Sequence, residues 1–257
     1  MTKKRIFLPS AEKNRVEGLI LEENKQEKIV KMFDDIAPTY DKANRVLSMG
    51  VDIQWRKKAC DETFARYKKP IDLIVDVACG TGDMMGYWKK RAEKIGIKVE
   101  RILGVDPSVG MVEVGKEKFP DFEFVISDAT NLPLKDESAD VLSISYGIRN
   151  VVKRQEAFLE FARVLKKGGY VVILEFTKDD KKGSLFAVKD FYMNRVLPKI
   201  GGFISKNREA YEYLPNSIEG FLTSEMLQFE LDKAGFTTEF SKSFSMDIST
   251  LVIAKKR

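Results

Sequence analysis

Between residues 71 and 176 the chain repeats one pattern: a short, almost unbroken apolar run, then a stretch whose apolar positions recur at helical spacing. The runs cover 71–78, 101–106, 122–126, 139–144 and 170–176. Runs of this length without alternation predict strands buried on both faces. Between two of them, residues 156–165 place Ala157, Phe158, Phe161, Ala162 and Leu165 on one helical face. Gly168-Gly169 is expected to end that helix in the left-handed conformation. Strand and helix in alternation predict an α/β fold, a mostly parallel sheet with helices on both sides.

The flanks follow other patterns. Residues 26–33 carry Ile29, Val30, Met32 and Phe33 as an apolar stripe. Ala37-Pro38 is expected to break this helix, because a proline ring disfavours helix at the residue before it. A second helix is predicted over 52–67, stopping before Lys69-Pro70. Residues 178–222 leave the strand–helix rhythm, and 184–197 predict a helical insertion with Phe186, Val188, Phe191, Tyr192, Val196 and Leu197. Two strands, 236–244 and 248–254, close the chain. The expected organisation is a single domain over 1–257: a helical lid (1–70), a cofactor-binding core (71–177), the insertion (178–222) and C-terminal strands (223–257).

Composition narrows the chemistry. With 44% hydrophobic residues, 257 residues can bury one substantial core. The net charge of +5 is too mild to indicate a nucleic-acid partner. Cys60 and Cys79 fit no zinc or thioredoxin spacing and read as reduced thiols of a cytoplasmic protein. The chain has no histidine, which removes the commonest general base and transition-metal ligand. Ser-His and Cys-His nucleophiles are thereby excluded, and no metal site is expected. Residues 1–10 are too short in apolar content for a secretory signal, and no run is long enough to span a bilayer.

The strongest local signal is Val75-Asp-Val-Ala-Cys-Gly-Thr-Gly-Asp83. Gly80 and Gly82 follow the first buried strand where a helix should begin, so backbone N–H groups can approach a ligand closely. A dinucleotide fingerprint wants glycine or alanine where Met85 stands, and a P-loop wants lysine where Asp83 stands. By itself the turn reads either as an empty strand-to-helix corner or as a ligand cradle. Asp76 within the first strand, Asp106 ending the second and Asp128 ending the third, followed by Ala129, favour the cradle. Acidic groups gathered at the carboxyl edge of a parallel sheet define a crevice, and Asp106 is placed to accept hydrogen bonds from ribose hydroxyls.

This arrangement resembles the class I S-adenosylmethionine-dependent methyltransferases. The resemblance implies a Rossmann-like, seven-stranded, mostly parallel sheet. Further blocks are more specific. Residues 32–50 read Met-Phe-Asp-Asp-Ile-Ala-Pro-Thr-Tyr-Asp-Lys-Ala-Asn-Arg-Val-Leu-Ser-Met-Gly, with Trp55-Arg56 beyond. Tyr146-Gly-Ile-Arg-Asn-Val151, Arg163-Val-Leu-Lys-Lys-Gly-Gly169, Leu174-Glu-Phe176 and Tyr211-Glu-Tyr-Leu-Pro-Asn-Ser-Ile218 follow in order. Together they resemble the ubiquinone/menaquinone biosynthesis C-methyltransferases. The resemblance implies methylation of a prenylated quinol, demethylmenaquinol or its ubiquinone-pathway counterpart, and cofactor contacts from Thr81, Asp106, Asp128, Ala129 and Ser145. Two stretches depart from the family pattern, Ser245-Met-Asp-Ile-Ser249 and Phe221-Leu222, both on the acceptor side.

With an electrophilic methyl on the cofactor, the protein need only raise the nucleophilicity of a ring carbon. Arg149 is expected either to stabilise a developing phenolate or to form a structural ion pair. Asn150 is expected to orient the acceptor. Tyr40 and Asp41, from the lid, are expected to complete the pocket or relay a proton through water, with Phe33, Tyr146 and Tyr192 as candidate ring neighbours. Residues 178–208 hold eight Lys or Arg against three Asp. That basic segment reads either as a face resting on the inner surface of an anionic membrane or as a solvated helix. A homodimer is compatible with the sequence, and nothing in it calls for nucleic acid.

Overall fold

The apolar runs fold as strands because they can be covered from both sides. Strands β1 (Ile71–Val77), β2 (Val99–Asp106), β3 (Glu123–Ile126), β4 (Ala139–Ser145), β5 (Leu165–Glu175), β6 (Phe236–Phe244) and β7 (Ser249–Lys256) form one sheet in the order β3-β2-β1-β4-β5-β7-β6. All neighbours pair parallel except β7, which runs antiparallel to both β5 and β6. The computed structural model describes residues 10–178, 207–245 and 247–257, so the expected helix over 184–197 and most of the basic segment lie outside the described residues.

The helices are α1 (Ser10–Leu47), α2 (Val51–Tyr67), α3 (Asp83–Ile95), α4 (Val109–Lys118), α5 (Arg154–Val164), α6 (Arg208–Glu219) and α7 (Ser224–Lys233), with a 3-10 turn at Ile148–Asn150. One sheet face buries Phe158 and Phe161 of α5 with Leu227 and Leu231 of α7. The other buries Trp55 and Phe64 of α2 against Trp88 of α3. Fully buried side chains of this size contribute about 1.5–3 kcal/mol each, so the two layers hold the sheet's carboxyl edge as a fixed platform.

Two sequence expectations are corrected. Helix α1 does not break at Ala37-Pro38 but continues through Pro38 to Leu47. An interior proline costs about 3 kcal/mol. Burial of Ile36, Ala37, Ala43 and Leu47 against Met111 of α4 and Tyr211 of α6 offsets it. Gly110 fits against the same stretch, since a Cβ there would lie 3.1 Å from the Asp34 carbonyl oxygen. Helix α5 is not closed by glycine either. Its cap residue Leu165 is already extended, and Gly168, at φ +78°, lies where the β4–β5 pairing shifts register between Ala139↔Leu165 and Val141↔Tyr170.

Candidate functional site: a cofactor cleft and an adjoining aromatic cavity

Where β1 ends, the chain turns sharply. Ala78, Gly80 and Gly82 all have positive φ, and α3 starts at Asp83 with Gly82 as its cap. A Cβ on Gly82 would stand 2.9 Å from Phe124 Cζ, so close packing and backbone conformation both require glycine. Asp106, at the end of β2, accepts the Gly80 N–H on Oδ2 and the Ser108 N–H on Oδ1, each at 2.8 Å. The loop is thus tied to the second strand by the carboxylate expected to meet ribose. Burial pushes the Asp106 carboxyl up to about 6, with both backbone donors opposing the shift.

These groups floor a cleft of about 250 Å³ with Gly80, Asp106, Asp128, Ala129 and Ser145, roofed by Gln26, Ile29, Phe33 and Tyr40 of α1. The Ser145 hydroxyl is shut off from solvent and has no hydrogen-bond partner among the described residues. An orphaned hydroxyl, a buried carboxylate and a glycine turn at a helix start fit a ligand bearing ribose and a charged amino-acid end. Asp76 does not reach the cleft. It lies beneath the loop, accepting from Ser143 Oγ at 2.6 Å, and Ser143 in turn accepts from Trp88 Nε1 at 2.9 Å. Burial pushes Asp76 up to about 7.

Thr81 and Gly82 also lie outside the cleft wall, and Thr81 is held by the lid. Its Oγ1 donates to Asp41 Oδ1 at 2.6 Å, and Lys118 Nζ donates to Asp41 Oδ2 at 2.6 Å. Lys118 and Arg45 both also bind Asp83. Asp34 of α1 accepts from Ser108 Oγ at 2.6 Å and from the Gly110 N–H at 2.9 Å. Asp41 is therefore corrected from an acceptor-facing position: both its oxygens fasten α1 to the cofactor loops, and it lines neither cavity.

A second cavity of about 270 Å³ adjoins the cleft and shares Phe33, Tyr40 and Tyr146 with it. Trp55 of α2, Phe176, and Tyr211, Tyr213 and Leu214 of α6 complete a mostly apolar wall. Its cations among the described residues are Arg56 and Arg149. Arg149 forms the ion pair that was one of the two expectations: Nη1 donates at 2.6 Å to Glu175 Oε1 and to the Tyr146 carbonyl, and Nε to Ser217 Oγ at 3.3 Å. Burial raises the Glu175 carboxyl, against the opposing pull of Arg149. Asn150 departs from its expected place. It lines the cofactor cleft rather than the aromatic cavity, accepting from Tyr213 Oη at 3.0 Å. Tyr146 carries positive φ of 61°, a strained conformation for an aromatic residue that aims its ring into the shared wall. Tyr192 lies outside the described residues.

Arg56, Glu175, Asp34 and the α6 aromatics stood in the family blocks but were given no role of their own, and Asp52 and Lys118 were not singled out for chemistry. Glu175 did carry a signal, an isolated charge inside the apolar run 170–176. Cys60 and Cys79 are buried free thiols, and burial holds both well above the ordinary thiol range, so neither is poised for nucleophilic chemistry.

A sheet ordered β3-β2-β1-β4-β5-β7-β6, with a glycine turn after β1 and a carboxylate ending β2, defines a class I S-adenosylmethionine-dependent methyltransferase. The chain is similar to a solved SAM-dependent methyltransferase of Thermotoga maritima, at 21% identity and TM-score 0.59 over 89% of this chain and 100% of that one. The chain belongs to the ubiE/COQ5 methyltransferase family, whose model matches residues 21–256. It is 58% identical over 232 residues to a Campylobacter jejuni protein named ubiquinone/menaquinone biosynthesis C-methyltransferase UbiE, covering 90% of this chain and 99% of that protein. It is 35% identical to a Bacteroides fragilis demethylmenaquinone methyltransferase, covering 90% and 94% respectively. The cofactor is S-adenosylmethionine.

Proposed function

We propose that the chain methylates a ring carbon of a prenylated quinol, demethylmenaquinol in the first instance, and that the aromatic cavity receives the ring. The supporting observation is the shared wall of Phe33, Tyr40 and Tyr146, which sets an apolar, aromatic cavity directly against the cofactor cleft. The names of the Campylobacter and Bacteroides relatives point to the same class of acceptor. When bound, S-adenosylmethionine supplies an electrophilic methyl group, which bonds to the ring carbon as its bond to sulfur breaks, with one proton released overall.

The residues of the chain then have separable tasks. Gly80, Asp106, Asp128, Ala129 and Ser145 hold the cofactor, with Thr81 keeping the loop under α1. Trp55, Phe176 and Tyr146 give the ring apolar faces to rest on. Arg149 stabilises charge developing on the ring oxygen; its Nη2 has no hydrogen-bond partner among the described residues. Tyr40, whose hydroxyl is kept protonated by burial, bridges the two cavities and can pass a hydrogen bond between them. Asn150 fixes the junction from the cofactor side.

The test is direct. Purified protein is given methyl-labelled cofactor and, separately, short-tailed demethylmenaquinol and the corresponding ubiquinone-pathway benzoquinol. Labelled methylnaphthoquinol is the expected product; labelling of the benzoquinol alone would move the assignment to the other pathway, and labelling of neither would overturn it.

No helix among the described residues is long and apolar enough to cross a membrane. We propose a cytoplasmic protein that meets its acceptor at the membrane's inner face. The basic excess within residues 178–208 supports that contact. Equal sedimentation with anionic vesicles after neutralising those lysines would refute it.

A further inference from the structure

Arg56 sits one turn into α2, and its side chain is only 10% exposed. Its Nε has no hydrogen-bond partner among the described residues. The nearest carboxylate oxygen, Asp52 Oδ2, is 3.5 Å away, but Asp52 is already committed to Arg45 and to Ser48 Oγ. The Arg56 guanidinium carbon lies 5.1 Å from the centroid of the Tyr146 ring. A desolvated cation left this incompletely paired is expensive to keep, and a mostly apolar wall does not explain its unpaired Nε.

The two cavity arginines are therefore unequal. Arg149 is neutralised by Glu175, whose side chain is fully buried beside it, whereas Arg56 has only the 3.5 Å approach of an already shared Asp52 and a buried Nε without a hydrogen-bond partner among the described residues. Arg56 lines the aromatic cavity and not the cofactor cleft. We propose that Arg56 binds the acceptor's ring oxygen as it ionises and is the principal cation lowering that hydroxyl's affinity for its proton. This rests on the reading that the aromatic cavity receives a quinol. Ionisation sends the O–H proton to solvent and leaves the electron pair on oxygen, conjugated to the ring carbon that takes the methyl group. The guanidinium donates to that oxygen and forms no covalent bond.

Two variants separate this from a structural role. Arg56→Gln removes the charge at similar size, and Arg56→Lys keeps charge with fewer donors. We expect Arg56→Gln to lower kcat/KM for short-tailed demethylmenaquinol by about a hundredfold at neutral pH and to move the rising limb of its pH–rate profile upward by about one pH unit or more. Arg56→Lys should shift the limb less, and S-adenosylhomocysteine affinity should stay within about threefold for both. An unmoved limb overturns the proposal. So does a matching loss of S-adenosylhomocysteine affinity, which would assign Arg56 to the cofactor.

A probe independent of turnover keeps the quinol reading separate. 1-Naphthol, titrated by absorbance in the presence of excess protein, should ionise at lower pH on the wild type than on Arg56→Gln. If wild type fails to methylate any quinol yet lowers the naphthol's ionisation through Arg56, the parent reading falls and the anion site stands. Equal ionisation on both proteins overturns the site. Should Arg56→Gln fail to fold, the same comparison is made with Arg56→Lys, where a partial shift is expected and none overturns the proposal.

Discussion

Replacing Asp106 by asparagine separates what its charge does for the fold from what it does for the cofactor. Its carboxyl is pushed from an ordinary 3.8 up to about 6 by burial. Two pH units correspond to about 3 kcal/mol held against the ionised form at neutral pH. The raised value means the folded state takes up its proton first as pH falls. Asp106 therefore adds stability below about pH 4 that is lost as pH rises through about 6. Asparagine abolishes that slope. It also turns an amide N–H₂ towards the Gly80 or Ser108 N–H, which costs about 1–3 kcal/mol, so the two changes nearly cancel at neutral pH and the variant should be the less stable protein in acid.

Cofactor binding should respond far more. Losing charged hydrogen bonds to a ribose costs about 1.5–3 kcal/mol, a Kd about 10- to 150-fold weaker. Wild-type affinity for S-adenosylhomocysteine should fall below about pH 6 as Asp106 protonates, with about half a proton released per cofactor bound at that midpoint. Calorimetry in buffers of different ionisation enthalpy measures both quantities. A pH-independent wild-type affinity, or an Asp106→Asn variant that binds as tightly as wild type, would refute the assignment. A pH dependence that survives in Asp106→Asn with its midpoint near 7 would instead implicate Asp76.

Arg149→Met leaves the Glu175 carboxylate buried and unpaired, and denaturant unfolding should show a loss of about 3–5 kcal/mol. Because burial already raises Glu175, that loss should grow with pH, and Arg149→Met/Glu175→Gln should recover much of it. Full recovery of stability without recovery of turnover would mark Arg149 as more than a structural partner. Thr81→Val removes the hydrogen bond to Asp41 that fastens α1 to the glycine turn. Stopped-flow release of a fluorescent cofactor analogue should accelerate about three- to tenfold; an unchanged rate would mean α1 does not gate the cleft.

The parts of the site legible in the sequence were those carried by local pattern. Apolar runs located β1, β2 and β4, and Asp106 and Asp128 follow from being the residues at or just beyond strand ends, whereas Ser145 came only with the family resemblance. What the sequence hid depends on tertiary contact. Asp41 and Tyr40 are adjacent in the chain, yet only Tyr40 lines the cavities, because successive residues on α1 point about 100° apart. Asn150 and Arg149 divide between cleft and cavity for the same reason, on one turn of 3-10 helix. Pro38 misled because local propensity was outweighed by burial along the same helix. Arg56 stood in a family block without a role: a lysine- and arginine-rich helix over 51–67 looks solvated until one of its cations is seen over the Tyr146 ring, lining the aromatic cavity.

That one arginine is neutralised and the other is not bears on catalysis in the proposed reaction. A cationic methyl donor meets an anionic ring oxygen's conjugate carbon, and the transfer annihilates both charges. The transition state is then less polar than the ionised reactants, so a cation that held the phenolate too tightly would deepen the ground state and slow transfer. Two unpaired arginines in a cavity with so apolar a wall would do that. Glu175 removes most of the excess field by pairing with Arg149, leaving Arg56 the stronger aid to ionisation and Arg149 the weaker one, held by the Tyr146 carbonyl. In the adjoining cleft, the Asp106 carboxylate, when ionised, favours a cationic cofactor over its neutral product. Charge on each side is thus arranged to bring ionised reactants together and to loosen its hold once the charges are gone.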